Sequence, residues 1–145
     1  MNDLVYASAT PEDIDVIYHL CRELIEAYED LSSVHLPSVL NWVRKKIESQ
    51  ISAYTCVWQE RNKVAYFCLT NEPEGTEFDD FYVLEDYRNC GIGTKVLEHC
   101  LQYAEKTVYL YVFTRNVGAI RLYERFGFVK TQQVSPTRII MTKVP

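Results

Sequence analysis

The stretch Phe81-Tyr82-Val83-Leu84-Glu85-Asp86-Tyr87-Arg88-Asn89-Cys90-Gly91-Ile92-Gly93-Thr94 carries the clearest chemical signal in the sequence. A strand-like run enters a loop with two glycines, and the loop passes directly into a helical pattern. Glycine allows close approach of a ligand to the main chain and φ/ψ values closed to other residues. A helix start presents N–H groups without intrahelical acceptors, at the positive end of the helix dipole. Together these features suit a phosphate or pyrophosphate. A Gly-x-Gly triplet can equally serve only to turn a strand tightly into a helix. The loop is not a Walker A sequence, because no Gly-Lys-Ser/Thr follows. Its Arg-x-x-Gly-x-Gly spacing also differs from the Gly-x-Gly-x-x-Gly of dinucleotide sites.

A second group follows about one helix later: Asn116, Ala119, Tyr123, Gly127 and Phe128. Asn116 is a good helix cap by type. Tyr123 brings a phenol that can donate a proton or a hydrogen bond. The chain has 11 tyrosines, so packing explains a helical tyrosine unless a motif says otherwise. Upstream of the glycine loop, Glu77 and Asp79 share one face of a strand and Asp80 lies on the other. By pattern alone, Glu77 reads as part of a polar edge on a half-exposed strand. His19 and His99 fall on helices, and His35 falls near a helix connection. Cys90 sits in the glycine loop without a cation cluster to activate its thiol.

The elements that must position these residues follow from periodicity. Residues 4–7 read as a strand. Thr10-Pro11-Glu12-Asp13 reads as a helix start, with Thr10 as cap and Pro11 at the first turn. Ile14, Ile17, Leu20, Cys21, Leu24, Ile25 and Tyr28 then recur at helical spacing. A second helix is expected over 37–47. Strands are expected over 54–58 and 64–69, joined by a polar hairpin turn, and over 76–84 after a turn at 71–75. A helix over 93–106, a strand over 108–113, a short helix capped by Asn116 and strands over 128–134 and 138–142 complete the chain. The order β-α-α-β-β-β-α-β-α-β-β implies an α/β (α+β) fold: a mixed, mostly antiparallel sheet of about seven strands, with about four helices on its faces.

The bulk properties narrow the function. The 145 residues are expected to form a single domain over 1–145. The formal net charge is -5, and Arg44-Lys45-Lys46 is the longest basic run, which disfavours nucleic acid as a partner. The acidic balance suits a cationic substrate, and equally it only keeps the protein dissolved. Five scattered cysteines, with no C-x-x-C, suggest reduced thiols and a cytoplasmic location, not a disulfide framework or a metal site. Met1-Asn2-Asp3-Leu4 has no basic region followed by a long apolar run, so no signal peptide is expected. No apolar run approaches the ~20 residues of a membrane span.

Taken together, the two constellations resemble the GCN5-related N-acetyltransferase (GNAT) family. The loop resembles the family's R/Q-x-x-G-x-G/A pyrophosphate loop after the fourth strand. Asn116, Ala119, Tyr123, Gly127 and Phe128 match its N-x-x-A-x-x-x-Y-x-x-x-G-F pattern on the next crossover helix. The order of elements is also similar, while residues 1–75 match in outline only.

The resemblance implies an acetyl-CoA-dependent N-acetyltransferase acting on a primary amine of a small molecule or protein. It implies that Arg88, Asn89, Cys90, Gly91, Ile92, Gly93 and Thr94 hold the pyrophosphate of coenzyme A. Tyr82, Val83 and Leu84 would pair with the pantetheine arm, aided by a bulge that splays the fourth and fifth strands. Asn116 would contact the same arm as well as cap its helix. Tyr123 would be the acid toward the leaving thiolate, and Glu77 is a candidate base. No metal is implied, and a homodimer is allowed. The acceptor pocket would draw on residues 28–40, including Tyr28, Glu29, Asp30 and His35, and on the turn at 134–137. Those acids also suit a solvated helix end. Two alternatives remain: a non-catalytic CoA-binding regulatory module, and a transferase for a longer acyl group.

Overall fold

The computed structural model describes residues 3–145. Met1 and Asn2, part of the stretch read as lacking a signal peptide, lie outside the described residues. Seven strands and four helices occur in the expected order. They are β1 (Leu4–Ser8), α1 (Ile14–Tyr28), α2 (Leu36–Gln50), β2 (Tyr54–Gln59), β3 (Asn62–Glu72), β4 (Gly75–Val83), α3 (Ile92–Leu101), β5 (Val108–Phe113), α4 (Val117–Arg125), β6 (Val129–Ser135) and β7 (Arg138–Lys143). The strands form one sheet in the order β1-β2-β3-β4-β5-β7-β6. Strands β4 and β5 run parallel, whereas β1–β2, β2–β3, β5–β7 and β6–β7 are antiparallel. No helix among the described residues is long and apolar enough to cross a membrane.

The chain divides into two compact units. One comprises the chain up to Cys68 together with Asp80–Leu84, and the other comprises Leu69–Asp79 and Glu85–Pro145.

In the first unit, helices α1 and α2 pack together. Each buries a stripe at helical spacing: Ile17, Leu20, Cys21 and Ile25 on α1, and Leu40, Val43 and Ile47 on α2. Complete burial of an Ile, Leu or Val contributes about 1.5–3 kcal/mol. Strand β3 is buried continuously from Val64 to Cys68, as a strand covered on both faces must be. Gln59 opposes Asn62, so β2 and β3 are joined by a two-residue turn in which Glu60 adopts φ 56°.

The start of α1 departs from simple capping. Pro11–Asp13 forms a single 3-10 turn, and the Asp13 carboxylate reaches back to the Thr10 N–H at 2.8 Å. Asp13 is itself buried at 3% exposure. Its other oxygen accepts from Lys63 Nζ at 2.8 Å and from the Tyr66 hydroxyl at 2.6 Å. Burial pushes this carboxyl's pKa upward, but the bonds from Lys63, Tyr66 and Thr10 together hold it below the ordinary carboxylate value. Burial, then the bond to Asp13, pushes the Tyr66 phenol far up. Asp13, expected only as part of a helix start, is therefore a buried junction between α1 and β3.

In the second unit, α3 is shorter than the expected 93–106. It ends at Leu101, and the Ala104 N–H bonds to the Leu101 carbonyl at 3.2 Å in the closing turn. The residues just beyond it face solvent: Gln102 is exposed and Tyr103 is 79% exposed. Gly75 opens β4 at φ 152°, where a Cβ would collide with the Thr107 carbonyl oxygen. That carbonyl accepts from the Thr76 N–H at 2.8 Å, beside the Thr76–Val108 register pair.

Replacing Asp13 with Ala should destabilise the protein by about 1–3 kcal/mol, the cost of stranding the buried Tyr66 hydroxyl. Because the folded carboxyl lies below its unfolded value, its ionisation stabilises the fold above the ordinary carboxylate range. That contribution disappears as pH falls through the folded pKa. Urea unfolding of wild type and Asp13→Asn should therefore differ at pH 7 and converge in strong acid.

Candidate active site

The glycine loop lies wholly in the second unit. After the single 3-10 turn Glu85–Tyr87, the Arg88 N–H bonds to the Glu85 carbonyl at 3.3 Å. Asn89 then takes φ 61° and Gly91 takes φ 82°. Gly91 is the residue before α3, and its carbonyl accepts the Lys95 N–H at 3.2 Å. Ile92 is 3% exposed and anchors the first turn by its side chain. Nothing lies within 4 Å of where a Cβ on Gly91 would stand. The glycine is thus required by its backbone conformation, and open space faces it. The first N–H groups of α3, including those of Ile92, Gly93 and Thr94, have no carbonyl four residues behind them within the helix. Arg88, Asn89, Cys90 and Gly91 are all exposed. The Cys90 thiol rests 3.3 Å from the Arg88 carbonyl. This geometry suits a pyrophosphate held largely by main-chain donors.

The second constellation has a local explanation for each of its residues. Asn116 caps α4, its side-chain oxygen accepting from the Ala119 N–H at 3.3 Å. This use leaves the amide NH2 group outside the cap. Gly127 takes φ 92° where α4 ends. The reversal returns the chain so that the Phe128 N–H meets the Tyr123 carbonyl at 3.1 Å. The Phe128 ring then packs edge-on against Tyr123 with centroids 5.7 Å apart. Tyr123 is 8% exposed. Burial raises its phenol well above the ordinary tyrosine value, and the charge of Asp79 on β4 raises it further.

Glu77 lies on β4 opposite Tyr109 of β5 and is half-buried. The Tyr109 phenol is pushed up to about 12, first by burial and then by Glu77, Glu74 and Glu72. Thus Glu77 belongs to an acidic stretch, and the carboxylate whose charge reaches Tyr123 is Asp79, two residues further along.

Tyr82, Val83 and Leu84 lie in the first unit. Tyr82 is buried, and the Leu84 N–H bonds to the Val64 carbonyl at 2.9 Å. Just before them, Asp80 adopts φ 48°, so β4 carries an irregularity in mid-strand. One Asp80 oxygen accepts from Lys46 Nζ of α2 at 3.2 Å and from the Tyr54 hydroxyl of β2. The other accepts from the Tyr82 hydroxyl at 2.9 Å. Sequence reasoning placed Asp80 on the face opposite Glu77 without giving it a role. The available signal was an acid alternating with Phe78 and Tyr82, both of which are buried.

At the connection between α1 and α2, the Asp30 carboxylate is occupied locally. It accepts from the Ser32 N–H at 3.1 Å and from the Ser32 and Ser33 hydroxyls at 2.6 and 2.7 Å. His35 Nδ1 lies 2.7 Å from the Ser38 hydroxyl. At the β6–β7 turn, the Thr114 N–H bonds to the Thr137 carbonyl at 2.8 Å, and the Arg138 guanidinium covers the Tyr111 ring at 5.0 Å. Among the described residues, no group of three or more His, Cys, Asp or Glu could hold a metal ion.

The profile described as "Acetyltransferase (GNAT) family" matches residues 13–128. The chain belongs to that family. Among curated GNAT relatives, the spermine/spermidine N(1)-acetyltransferase of Bacillus subtilis is 44% identical over 55 residues, 34% of this chain and 36% of that protein. The chain thus matches about a third of the length of the first curated relatives. An uncharacterised N-acetyltransferase from the SPbeta prophage of Bacillus subtilis is 27% identical over 154 residues, 97% of this chain and 83% of the relative. Among solved structures, the PaiA N-acetyltransferase of Thermoplasma acidophilum, in complex with coenzyme A, superimposes with a TM-score of 0.74. That match covers 99% of each chain at 16% identity, so it speaks to the fold alone. The GNAT fold expected from the sequence is therefore present, with its seven strands and four helices.

The buried Tyr123 should be among the last tyrosines to ionise. In a spectrophotometric titration near 295 nm, Tyr123→Phe should remove amplitude from the most alkaline part of the curve.

Proposed function

We propose that this chain is an N-acetyltransferase that moves the acetyl group of acetyl-CoA to a primary amine. The observation that carries this reading is the open, left-handed Gly91 at the start of α3, in a chain of the GNAT family. Acetyl-CoA supplies a thioester whose carbonyl carbon the amine attacks. The family match takes in residues of both units, which supports treating 1–145 as one functional domain.

In this reading, Arg88, Asn89, Cys90, Gly91, Ile92, Gly93 and Thr94 bind the pyrophosphate, mainly through N–H groups. The main chain of Tyr82, Val83 and Leu84 pairs with the pantetheine arm, and a backbone N–H near Val83 and Leu84 stabilises the carbonyl oxygen as it gains charge. The NH2 group of Asn116, outside the cap, is available to the same arm.

Tyr123 is the donor toward the sulfur. A thiol of pKa about 8.5 is a stronger acid than this phenol, whose value is raised. Tyr123 therefore remains protonated and stabilises the departing thiolate chiefly by a hydrogen bond. Glu77 is the candidate proton acceptor for the amine, supported by its place in an acidic stretch of β4. An amine that arrives neutral needs no such base.

For the acceptor, a polyamine is the first class to test. A relative named for spermine and spermidine shares the matched segment, and the net charge of -5 suits a polycation. The five free thiols suit a reducing compartment such as the cytoplasm.

Thiol release from acetyl-CoA, measured with spermidine and a panel of other amines, tests the reading. Turnover on a primary amine is expected. Tight coenzyme A binding without turnover on any amine would make the chain a binding module instead. Gly91→Glu, which places bulk and negative charge into the loop, should abolish coenzyme A binding by calorimetry. Unchanged affinity would remove the loop from its role. Tyr123→Phe should lower kcat by roughly 10- to 100-fold, the worth of a hydrogen bond to a charged group, with little change in coenzyme A affinity.

A further inference from the structure

The chain holds two buried or nearly buried carboxylates that bridge separate elements within the first unit. Asp13 ties α1 to β3, and its partners account for it as a structural junction. Asp80 differs because of where it stands in β4 and what its backbone does there. It adopts φ 48°, a conformation that strands do not use and that non-glycine residues enter infrequently. Aspartate and asparagine tolerate it better than most. The side chain is 11% exposed, so its charge needs partners. It finds them on three elements: Lys46 from α2, Tyr54 from β2 and Tyr82 from β4. Both carboxylate oxygens are engaged, which argues for an anchor and against a proton acceptor.

We propose that Asp80 is a positioning residue: its carboxylate, gripped by Lys46 and Tyr54, pins the mid-strand irregularity of β4 and sets the course of Tyr82, Val83 and Leu84. Tyr82 is tied in twice, by chain continuity and by its hydroxyl on Asp80. From there the Leu84 N–H takes up its bond to the Val64 carbonyl. The proposal rests on the reading that this segment's main chain receives the pantetheine arm. It adds that the anchor for that main chain is side-chain chemistry contributed by α2 and β2.

Substitutions at Asp80 separate backbone from side chain. Asn retains tolerance of positive φ and one acceptor oxygen. Gly retains the conformation and loses the anchor, whereas Ala loses both. Tyr54→Phe and Lys46→Gln weaken the grip without touching β4, and they serve if the Asp80 variants fail to fold.

Two ligands report on different parts of the site: coenzyme A, and 3′-phosphoadenosine diphosphate, which lacks the pantetheine arm. Asp80→Gly should weaken coenzyme A at least tenfold and leave the truncated nucleotide within about twofold, because the glycine loop is untouched. Asp80→Asn should lose less, and Tyr54→Phe should shift in the same direction as Asp80→Gly. Amide hydrogen exchange without ligand should quicken over residues 81–84 in Asp80→Gly and stay unchanged at the start of α3.

Wild-type affinity for coenzyme A in folded Asp80→Gly would overturn the proposal, as would equal losses on both ligands or unchanged exchange over 81–84. If the wild-type protein bound neither nucleotide, the acetyl-CoA reading itself would fall. The exchange experiment would still decide whether Asp80 pins the strand.

Discussion

Between Val83 at the end of β4 and Ile92 at the start of α3 the chain needs backbone conformations that most residues avoid, and these fall on Asn89 and Gly91. Both take positive φ, and Gly91 stands at the last position before α3 with open space where a side chain would be. The same turn leaves the first N–H groups of α3 pointing outward without intrahelical partners. A local steric requirement thus leaves main-chain donors of the kind that suit an anion. Ile92 holds the helix start in place by burial, so the donors are presented on a fixed frame.

Comparable economy governs α4. Asn116 caps one end, Gly127 turns the chain at the other, and Phe128 returns to lie against Tyr123. Helix α4 is only nine residues long, and it holds Tyr123 buried against Phe128. Burial and the Asp79 charge keep the phenol neutral. In the proposed reaction, such a neutral, packed donor would need little reorganisation as charge appears on the sulfur.

The parts of this arrangement that depend on neighbours in sequence were legible beforehand. Helical stripes on α1 and α2, the polar turn between β2 and β3, the glycine loop and the Asn116 cap all follow from residues within a few positions of one another. Long-range pairings were not. Asp13 finds Lys63 and Tyr66 at separations of 50 and 53 residues, and Asp80 finds Tyr54 and Lys46 at 26 and 34. Sequence periodicity assigns each acid a face but not a partner. The C-terminal end of α3 was misplaced for a related reason. Ala104 continues the apolar spacing by type, yet Tyr103 beside it lies in solvent, and without burial the helix has nothing to extend along.

In the proposed site, the start of α3 binds the pyrophosphate of coenzyme A through its main chain. Titrating the 15N-labelled protein with coenzyme A and following its amide resonances tests this most directly. Saturable shifts that are largest at residues 89–94 are expected. Saturable binding with those amides unmoved would contradict it.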